Sequence, residues 1–233
     1  MLTILLQVMN RNIIYILLLT IVSCGRVTSD DIHEEHNPFA DKLKNYVFHD
    51  DVYHGMDVHK VEDSYFLVVN DEYKSAVIEY LTQSGFTIFE GPDRYEFGLS
   101  TNFKLPEDLQ NCYSLCFSGA ADVLDIHNVV YCGSLYYIEH PTLVLCDTTT
   151  LFIDVDYDEV DMLKSLASVL NLVLLGPWIH EDNPWLQSPP LTYAAVCTTQ
   201  SPGNCLEIYN CICDFAGLAD VSIYQLDNPI PGI

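Results

Sequence analysis

Four cysteines lie within 25 residues, between Cys197 and Val221. Thiols at such spacing could bind a metal ion or form disulfides, and either would make this stretch the chemical centre of the protein. The sequence holds no Cys-x-x-Cys pair, which removes the commonest signature of zinc and redox sites. On a helix over 203–214, Cys205 and Cys213 would stand about 12 Å apart along the axis and could not share one tetrahedral ion. We therefore expect these cysteines mostly to fill the core as small apolar side chains.

Histidines and acids offer a second chemistry, metal binding. Five histidines cluster with acids between residues 31 and 63, and their imidazoles could hold zinc or copper. The acidic run over 154–161 resembles a calcium loop, but an EF-hand needs glycine at its sixth position, where this chain has Glu159. We expect solvated histidines and acids that begin a helix, with no metal site and no cofactor. The residues concerned are His33, His36, His49, His54, His59, Asp154, Asp156, Asp158 and Asp161.

The charge of the chain excludes one large class of partners. Its 33 acidic and 9 basic residues give a formal net charge of −24. Phosphate binding needs Lys and Arg to replace counterions, so we predict no nucleic-acid partner. Hydrophobic residues make up 49% of the chain, enough for one large domain or two small ones with real cores. The sequence contains no Gly-x-Ser-x-Gly elbow, P-loop or His-Glu-x-x-His motif, and we predict that the chain is not an enzyme.

The N-terminal residues are typical of a leader peptide. An apolar run over 13–22 is too short to span a membrane and fits a signal peptide. The stretch 21–24 resembles the lipobox of bacterial lipoproteins, which implies cleavage after residue 23 and a lipid on Cys24. An ordinary secretory signal is the alternative, and either Met1 or Met9 could be the start. The lipobox predicts a lipid-anchored protein of the bacterial cell envelope, periplasmic or surface-exposed, which touches the membrane through its lipid alone.

An internal duplication in the sequence indicates the fold that positions the cysteines, histidines and acids described above. Segments 66–92 and 151–177 align without a gap. Each has an apolar strand, an acidic helix start, an apolar stripe of helical period and a second apolar strand that ends in Gly-Pro. A second pair, 119–126 and 217–224, shares the pattern Gly-x-Ala-Asp-Val. An inserted loop over 178–190 accounts for the different offsets of the two pairs.

Each copy reads β-α-β-β-α-β, so we predict an α+β protein of two tandem ferredoxin-like units. The helices of such a unit cover one face of an antiparallel sheet, and the two sheets could pack on each other. In the first copy we predict strands at 65–70, 86–90, 95–100 and 123–129, and helices at 72–84 and 106–117. In the second we predict strands at 151–155, 172–178, 191–197 and 220–226, and helices at 158–170 and 203–214.

The predicted organisation has five parts along the chain. A lipoprotein signal peptide (1–23) precedes an acidic tether (24–44). A hairpin and the first unit follow (45–133), then connecting strands (134–150), then the second unit with a C-terminal tail (151–233). If Cys24 carries a lipid, the eight other cysteines could pair as disulfides in an oxidising compartment, but the sequence fixes no pairing.

Thirteen residues of the second copy carry a resemblance to a known family. Their order, together with a tyrosine- and glycine-containing hairpin near residue 54, resembles the N-terminal prosegment of bacterial subtilisin-like serine proteases over roughly 45–226. The residues are Asn171, Gly176, Cys197, Thr198, Ser201, Gly203, Asn204, Leu206, Glu207, Asn210, Gly217, Leu218 and Ala219.

The resemblance implies a folding chaperone and inhibitor of a cognate subtilisin-like protease. In that family the propeptide's sheet packs on the enzyme and its C-terminal tail lies in the active-site cleft. The tail of this chain consists of Asp227, Asn228, Pro229, Ile230, Pro231, Gly232 and Ile233. The catalytic motifs are missing from these residues, since the stretch 54–59 only echoes His-Gly-Thr-His and nothing echoes Gly-Thr-Ser-Met-Ala. A separated or truncated prosegment is equally consistent with the sequence.

The alternative function has no link to a protease. Ferredoxin-like folds host many activities, so the chain could instead be a cell-surface lipoprotein for adhesion or for binding a ligand or glycan. Trp178 and Trp185 in the inserted loop could stack on a sugar. A strand connection with two buried rings is the interpretation that we prefer.

Overall fold

The computed structural model describes residues 37, 39–99, 103–120, 126–138, 148–178, 190–216 and 220–224. The chain divides into Met1–Asn37 and Pro38–Ile233, and all the elements named below belong to the second unit. In chain order the elements are α1 (Ala40–Leu43), β1 (Val52–Tyr53), β2 (Met56–Asn70), α2 (Asp71–Gln83), β3 (Thr87–Tyr95), a 3₁₀ turn (Glu107–Leu109), β4 (Cys112–Ser118), β5 (Tyr131–Ile138), β6 (Thr150–Val155), α3 (Val160–Val169), β7 (Val173–Leu175), β8 (Leu191–Val196), α4 (Cys205–Ala216) and β9 (Val221–Ile223).

These elements form two antiparallel sheets, which confirms the predicted α+β class. The first sheet has the strand order β5–β2–β4–β3, and β1 forms a hairpin with the start of β2. His54 and Gly55 make that hairpin turn with φ of 48° and 76°, as a two-residue turn of this kind requires. The second sheet has the order β7–β8–β6–β9.

Residues 66–69, near the end of β2, are buried on both faces of the strand, and each face belongs to a different core. Leu67 and Val69 pack with Val77 and Leu81 of α2 in a small cluster, which we call the α2 core. Phe66, which points to the opposite face, belongs to a larger cluster, the shared core. The shared core also contains buried residues of β6, β8, α3 and α4, so it joins the two halves of the unit. An unbroken apolar run is the expected sequence of a strand covered on both sides.

The helices differ in how much of their surface is buried. α2 has only Val77 and Leu81 buried and begins with Asp71 and Glu72, where the helix dipole favours acids. α4 is buried nearly all round, and a helix that is apolar on every side belongs inside a core. Among the described residues, no helix combines the length and apolar character needed to cross a membrane.

The predicted helices of the second copy and the first helix of the first copy are confirmed within a few residues. The helix predicted at 106–117 is wrong, because that segment contains the 3₁₀ turn and then β4, which pairs with β2 and β3. The spacing of its apolar residues is compatible with a helix or with a strand. The segment forms a strand because it pairs with two neighbouring strands. The strand predicted at 95–100 is also wrong, since β3 runs to Tyr95 and Phe97 and Gly98 turn the chain with positive φ.

The last strand of the first copy was placed too early in the sequence. Residues 126–129 are not a strand, and β5 at Tyr131–Ile138 is the strand that pairs with β2 on this side. Residues 123–125, the other part of the predicted strand, lie outside the described residues.

Candidate functional site

Helix α4 begins with a reciprocal pair of hydrogen bonds. The Glu207 backbone N–H donates to Asn204 Oδ1 (2.8 Å), and the Asn204 N–H donates to Glu207 Oε2 (2.7 Å). This is a capping box, which satisfies N–H groups that the first turn of a helix leaves unpaired. Asn204 also donates through Nδ2 to Tyr136 Oη (2.9 Å), and Tyr136 in turn donates to the Asp50 carboxylate. The start of α4 is thereby fastened to the first sheet.

The middle of α4 is fastened to the segment before β1 by one buried amide. Asn210, 5% exposed, donates through Nδ2 to the backbone oxygens of His49 (3.0 Å) and Val52 (2.9 Å). Burying an amide without partners would cost about 1–3 kcal/mol, so these two bonds fix the segment in place. The N–H of His54 donates to Tyr209 Oη (3.3 Å), which adds a further link from the hairpin turn to α4.

Near the end of α4, four polar side chains from two distant parts of the sequence meet; we call Tyr46, His49, Asp51 and Asp214 the His49 cluster. His49 Nδ1 lies 3.0 Å from Asp51 Oδ1, and Nε2 lies 3.4 Å from Asp214 Oδ2. Tyr46 donates to the same Asp214 oxygen (2.9 Å). Partial burial lowers the pKa of His49, but hydrogen bonds to the two aspartates outweigh it and the pKa is raised. Burial and the bond to Asp214 raise the pKa of Tyr46.

The geometry of the His49 cluster suits a clamp rather than a catalytic base. In a Ser-His-Asp triad one ring nitrogen faces a carboxylate and the other faces a nucleophile. In this cluster both ring nitrogens face carboxylates. A protonated imidazole donates from both nitrogens, so the arrangement can hold the segment before β1 against α4 by charge.

Sequence reasoning placed His49 in a solvated run and did not pair it with Asp214. The neighbours Asp50 and Asp51 were the only local signal. The second carboxylate comes from a helix 165 residues further along the chain, and no local pattern announces such a contact.

The described cysteines are thiols, and five of the seven are buried. No disulfide joins any of the seven that the structure describes. Cys197, Cys205 and Cys211 are fully buried, which confirms the prediction that they fill the core, and Cys213 is partly exposed. Burial raises the pKa of Cys112 to about 11 and that of Cys211 to about 12. Thiols with such pKa values are poor nucleophiles at neutral pH.

The acids that resemble a calcium loop lie around the start of α3: Asp154 is in β6, Asp156 and Asp158 lie between β6 and α3, and Asp161 is in the first turn of α3. The Asp156 N–H donates to Glu159 Oε2 (3.0 Å), and Thr192 donates to Asp154 Oδ1 (2.6 Å). Within the described ranges, no group of three or more His, Cys, Asp or Glu side chains is arranged to hold a metal ion. His33 and His36 lie outside those ranges.

Several predicted site residues also lie outside the described residues. These are Cys24 with its proposed lipid, the tail from Asp227 to Ile233, and Trp185. Trp178 is half-buried and packs edge-to-face on Phe103, with ring centroids 5.8 Å apart. That contact fits the packing role preferred from the sequence.

The residues that carry the prosegment resemblance have architectural roles wherever they are described. Asn204 and Glu207 cap α4, Asn210 fixes the preceding segment, and Leu206 is fully buried. Ser201 Oγ donates to the Asn171 oxygen and accepts from the Thr198 N–H. No family model, curated protein or solved structure matches this chain.

Proposed function

We propose that the chain is a non-catalytic module of the prosegment type, which binds a subtilisin-like serine protease and inhibits it or assists its folding. The supporting observation is the second sheet. Its order β7–β8–β6–β9 is wholly antiparallel, with α3 between β6 and β7 and α4 between β8 and β9. This is the order of a βαββαβ unit of the ferredoxin-like type, the architecture that the resemblance implies.

We further propose that the first sheet is a diverged copy of the same unit. Its order β5–β2–β4–β3 is the same when strands are counted from the start of each copy. Gly91 and Gly176, which are equivalent in the gapless alignment, both have positive φ. The described residues between β4 and β5 (119–120 and 126–130) include no helix.

In this proposal the contact with the protease is made by the end of the second unit. β9 pairs on one side with β6, and the tail from Asp227 to Ile233 follows shortly after it in sequence. The centre of the first sheet, at residues 66–69 of β2, is buried on both faces, so that part is a poor candidate for docking a second protein. A lipid on Cys24 would hold the module at a membrane of the bacterial envelope.

An inhibition assay tests the proposal. The purified protein is titrated into subtilisin-like proteases, and residual peptide hydrolysis and complex formation by gel filtration are measured. We expect inhibition of at least one subtilisin-like enzyme and none of a chymotrypsin-like serine protease. A variant that ends at residue 226 should bind but inhibit less. The absence of both inhibition and complex across a panel of subtilisin-like enzymes would reject the proposal.

The adhesion alternative has a separate test. A glycan array probed with the same protein should give no signal if the prosegment proposal holds. A signal that Trp185→Ala abolishes would favour the alternative.

A further inference from the structure

A long loop between two neighbouring strands forms a cleft. β3 ends at Tyr95 and β4 begins at Cys112, so residues 96–111 join two antiparallel neighbours. Hairpin loops usually have about 2–5 residues, so this connection is long, and it contains the 3₁₀ turn Glu107–Leu109. The described part of this loop and the end of β3 border a cleft of about 520 Å³. Pockets for small ligands usually measure about 300–1,000 Å³.

The walls of this cleft are held by hydrogen bonds within the loop. Gln110 donates through Nε2 to the Leu105 oxygen (3.1 Å), and the Leu99 N–H donates to the Glu96 oxygen (3.0 Å). The oxygen of Asn111 accepts from the N–H of Asp71 (3.1 Å), which ties the end of the loop to α2. A cleft with fixed walls loses little conformational entropy when a ligand binds.

Apolar side chains line one part of the cleft. Leu99, Phe103, Leu105 and Leu109 contribute to the lining. Phe103 and Leu109 are 6% and 3% exposed, so they are anchored in the core, while Leu99 and Leu105 are partly buried. Such a lining favours an aliphatic or aromatic group of a ligand.

Two opposite charges line the same cleft. Arg94 and Glu96 are two positions apart at the end of β3, and Arg94 Nε lies 3.9 Å from Glu96 Oε1. Their side chains are 68% and 72% exposed, and such an exposed pair contributes little to stability, so a ligand can separate it at small cost. Arg94 can then bind a carboxylate and Glu96 an ammonium group.

The net charge of the whole chain further restricts the class of ligand that the cleft can bind. A net charge of −24 repels a ligand that is only anionic. A zwitterion carries no net charge and meets both members of the pair. A short peptide with free termini and apolar side chains combines the two charges with the group that the lining favours.

We propose that this cleft binds short apolar peptides by their free termini, with the carboxylate on Arg94 and the ammonium group on Glu96. This site is independent of the proposed protease contact, which involves the last residues of the sequence. Binding at the cleft would give the module a second ligand, a product of peptide hydrolysis.

The test is calorimetric titration of the purified protein with Leu-Leu, Leu-Leu amide, N-acetyl-Leu-Leu and Gly-Gly. Leu-Leu should bind saturably, and Gly-Gly should not. Arg94→Gln should lower the affinity for Leu-Leu about tenfold, the usual contribution of one charge-assisted hydrogen bond. It should leave the affinity for Leu-Leu amide unchanged. Glu96→Gln should weaken Leu-Leu similarly and leave N-acetyl-Leu-Leu unaffected.

Matched control variants separate the direct contacts of Arg94 and Glu96 with the ligand from the effect of a change in the protein's net charge. Lys104→Gln and Glu107→Gln remove one charge each from the same loop, at residues that do not line the cleft. Both controls should bind Leu-Leu as the unmodified protein does. Failure of Leu-Leu to saturate below 10 mM (about 3 kcal/mol of binding free energy), or equal weakening by the controls, would overturn the proposal without affecting the protease assay.

Discussion

The two sheets of this protein arrange four strands in the same order but are covered differently. In the second sheet one helix follows β6 and another follows β8. In the first sheet α2 follows β2, while the described residues between β4 and β5 include no helix. The first sheet instead buries one face under α2 and the other in the shared core. The aligned segments of the sequence thus belong to sheets with the same strand order. The elements that pack on each face of a sheet differ, because they come from other parts of the chain.

The two aligned segments also differ at the start of the helix that each contains. The gapless alignment places Asp71 opposite Asp156. α2 begins at Asp71, directly after β2, but four residues separate the end of β6 from Val160, where α3 begins. Similar residues therefore occupy different structural positions in the two segments, and substitutions at aligned positions can measure the difference.

The largest expected effect comes from Leu81→Ala and Leu166→Ala, which are aligned positions and both 0% exposed. Removing a buried leucine side chain usually costs about 2–5 kcal/mol. Leu166 lies in the shared core, so we expect its loss to lower the free energy of unfolding of the whole unit. Leu81 lies in the α2 core, so its loss should first expose α2. Urea unfolding with hydrogen exchange of α2 amides measures both; equal exchange of α2 in the two variants would contradict this division.

Gly91→Ala and Gly176→Ala test the aligned glycines and should have the next largest effect. A Cβ at Gly91 would lie 2.5 Å from the Ser114 backbone oxygen, whereas at Gly176 the nearest atoms lie at 3.2 Å. We expect Gly91→Ala to lower the free energy of unfolding by more than about 2 kcal/mol. The loss for Gly176→Ala should be smaller than that for Gly91→Ala by about 1 kcal/mol. Gly85→Ala is the control, because its φ is also positive but nothing lies within 4 Å. If thermal unfolding shows the same loss of stability for Gly85→Ala as for Gly91→Ala, the positive φ alone determines the loss and the close contact at Gly91 adds nothing.

The sequence predicted more of the second sheet than of the first. The periods of apolar residues placed β6, α3, β8 and α4 within a few residues, since each segment suits one element clearly. Residues 112–118 suit both a helix and a strand, and only their pairing with β2 and β3 settles the matter. Local patterns cannot show which distant strand will be a neighbour.

The candidate sites were less predictable than the fold. The core role of the cysteines followed from helix geometry and is confirmed for Cys197, Cys205 and Cys211. The His49 cluster and the cleft beside Arg94 did not follow from any motif. Each depends on side chains that the tertiary fold brings together, and the cleft also depends on a loop where a helix was predicted.

The helix caps give a smaller contrast between the two halves. Asn204 accepts the cap bond of α4, whereas the Asn70 side chain makes no cap bond to α2 and accepts from the Cys112 thiol instead. Asn204→Ala should lower the free energy of unfolding by at least about 1 kcal/mol, the usual cost of losing a cap, because it also removes the hydrogen bond to Tyr136. Asn70→Ala should cost less than about 0.5 kcal/mol. Chemical unfolding monitored by circular dichroism would contradict the contrast if the two losses were equal.

The smallest effect is the pH dependence of the His49 cluster, which joins the start of the first half to α4. The pKa of His49 is raised in the folded protein, so folding favours the protonated ring. Its stabilising contribution should be complete below about pH 6.5, the unfolded pKa, and should disappear as the pH rises through the folded value. The side chain is 39% exposed, so the contribution should stay below about 1 kcal/mol.

Melting temperatures of the unmodified protein and His49→Gln between pH 5 and pH 8 (on either side of about pH 6.5) measure this contribution. The difference should be largest at the acidic end, and Asp51→Asn should reduce the slope because one of the two carboxylates no longer favours the charged ring. A difference that grows with pH would mean that the neutral ring is the form held between Asp51 and Asp214. In that case the contact between the two halves would be a hydrogen-bonded clamp, and charge would have no part in it.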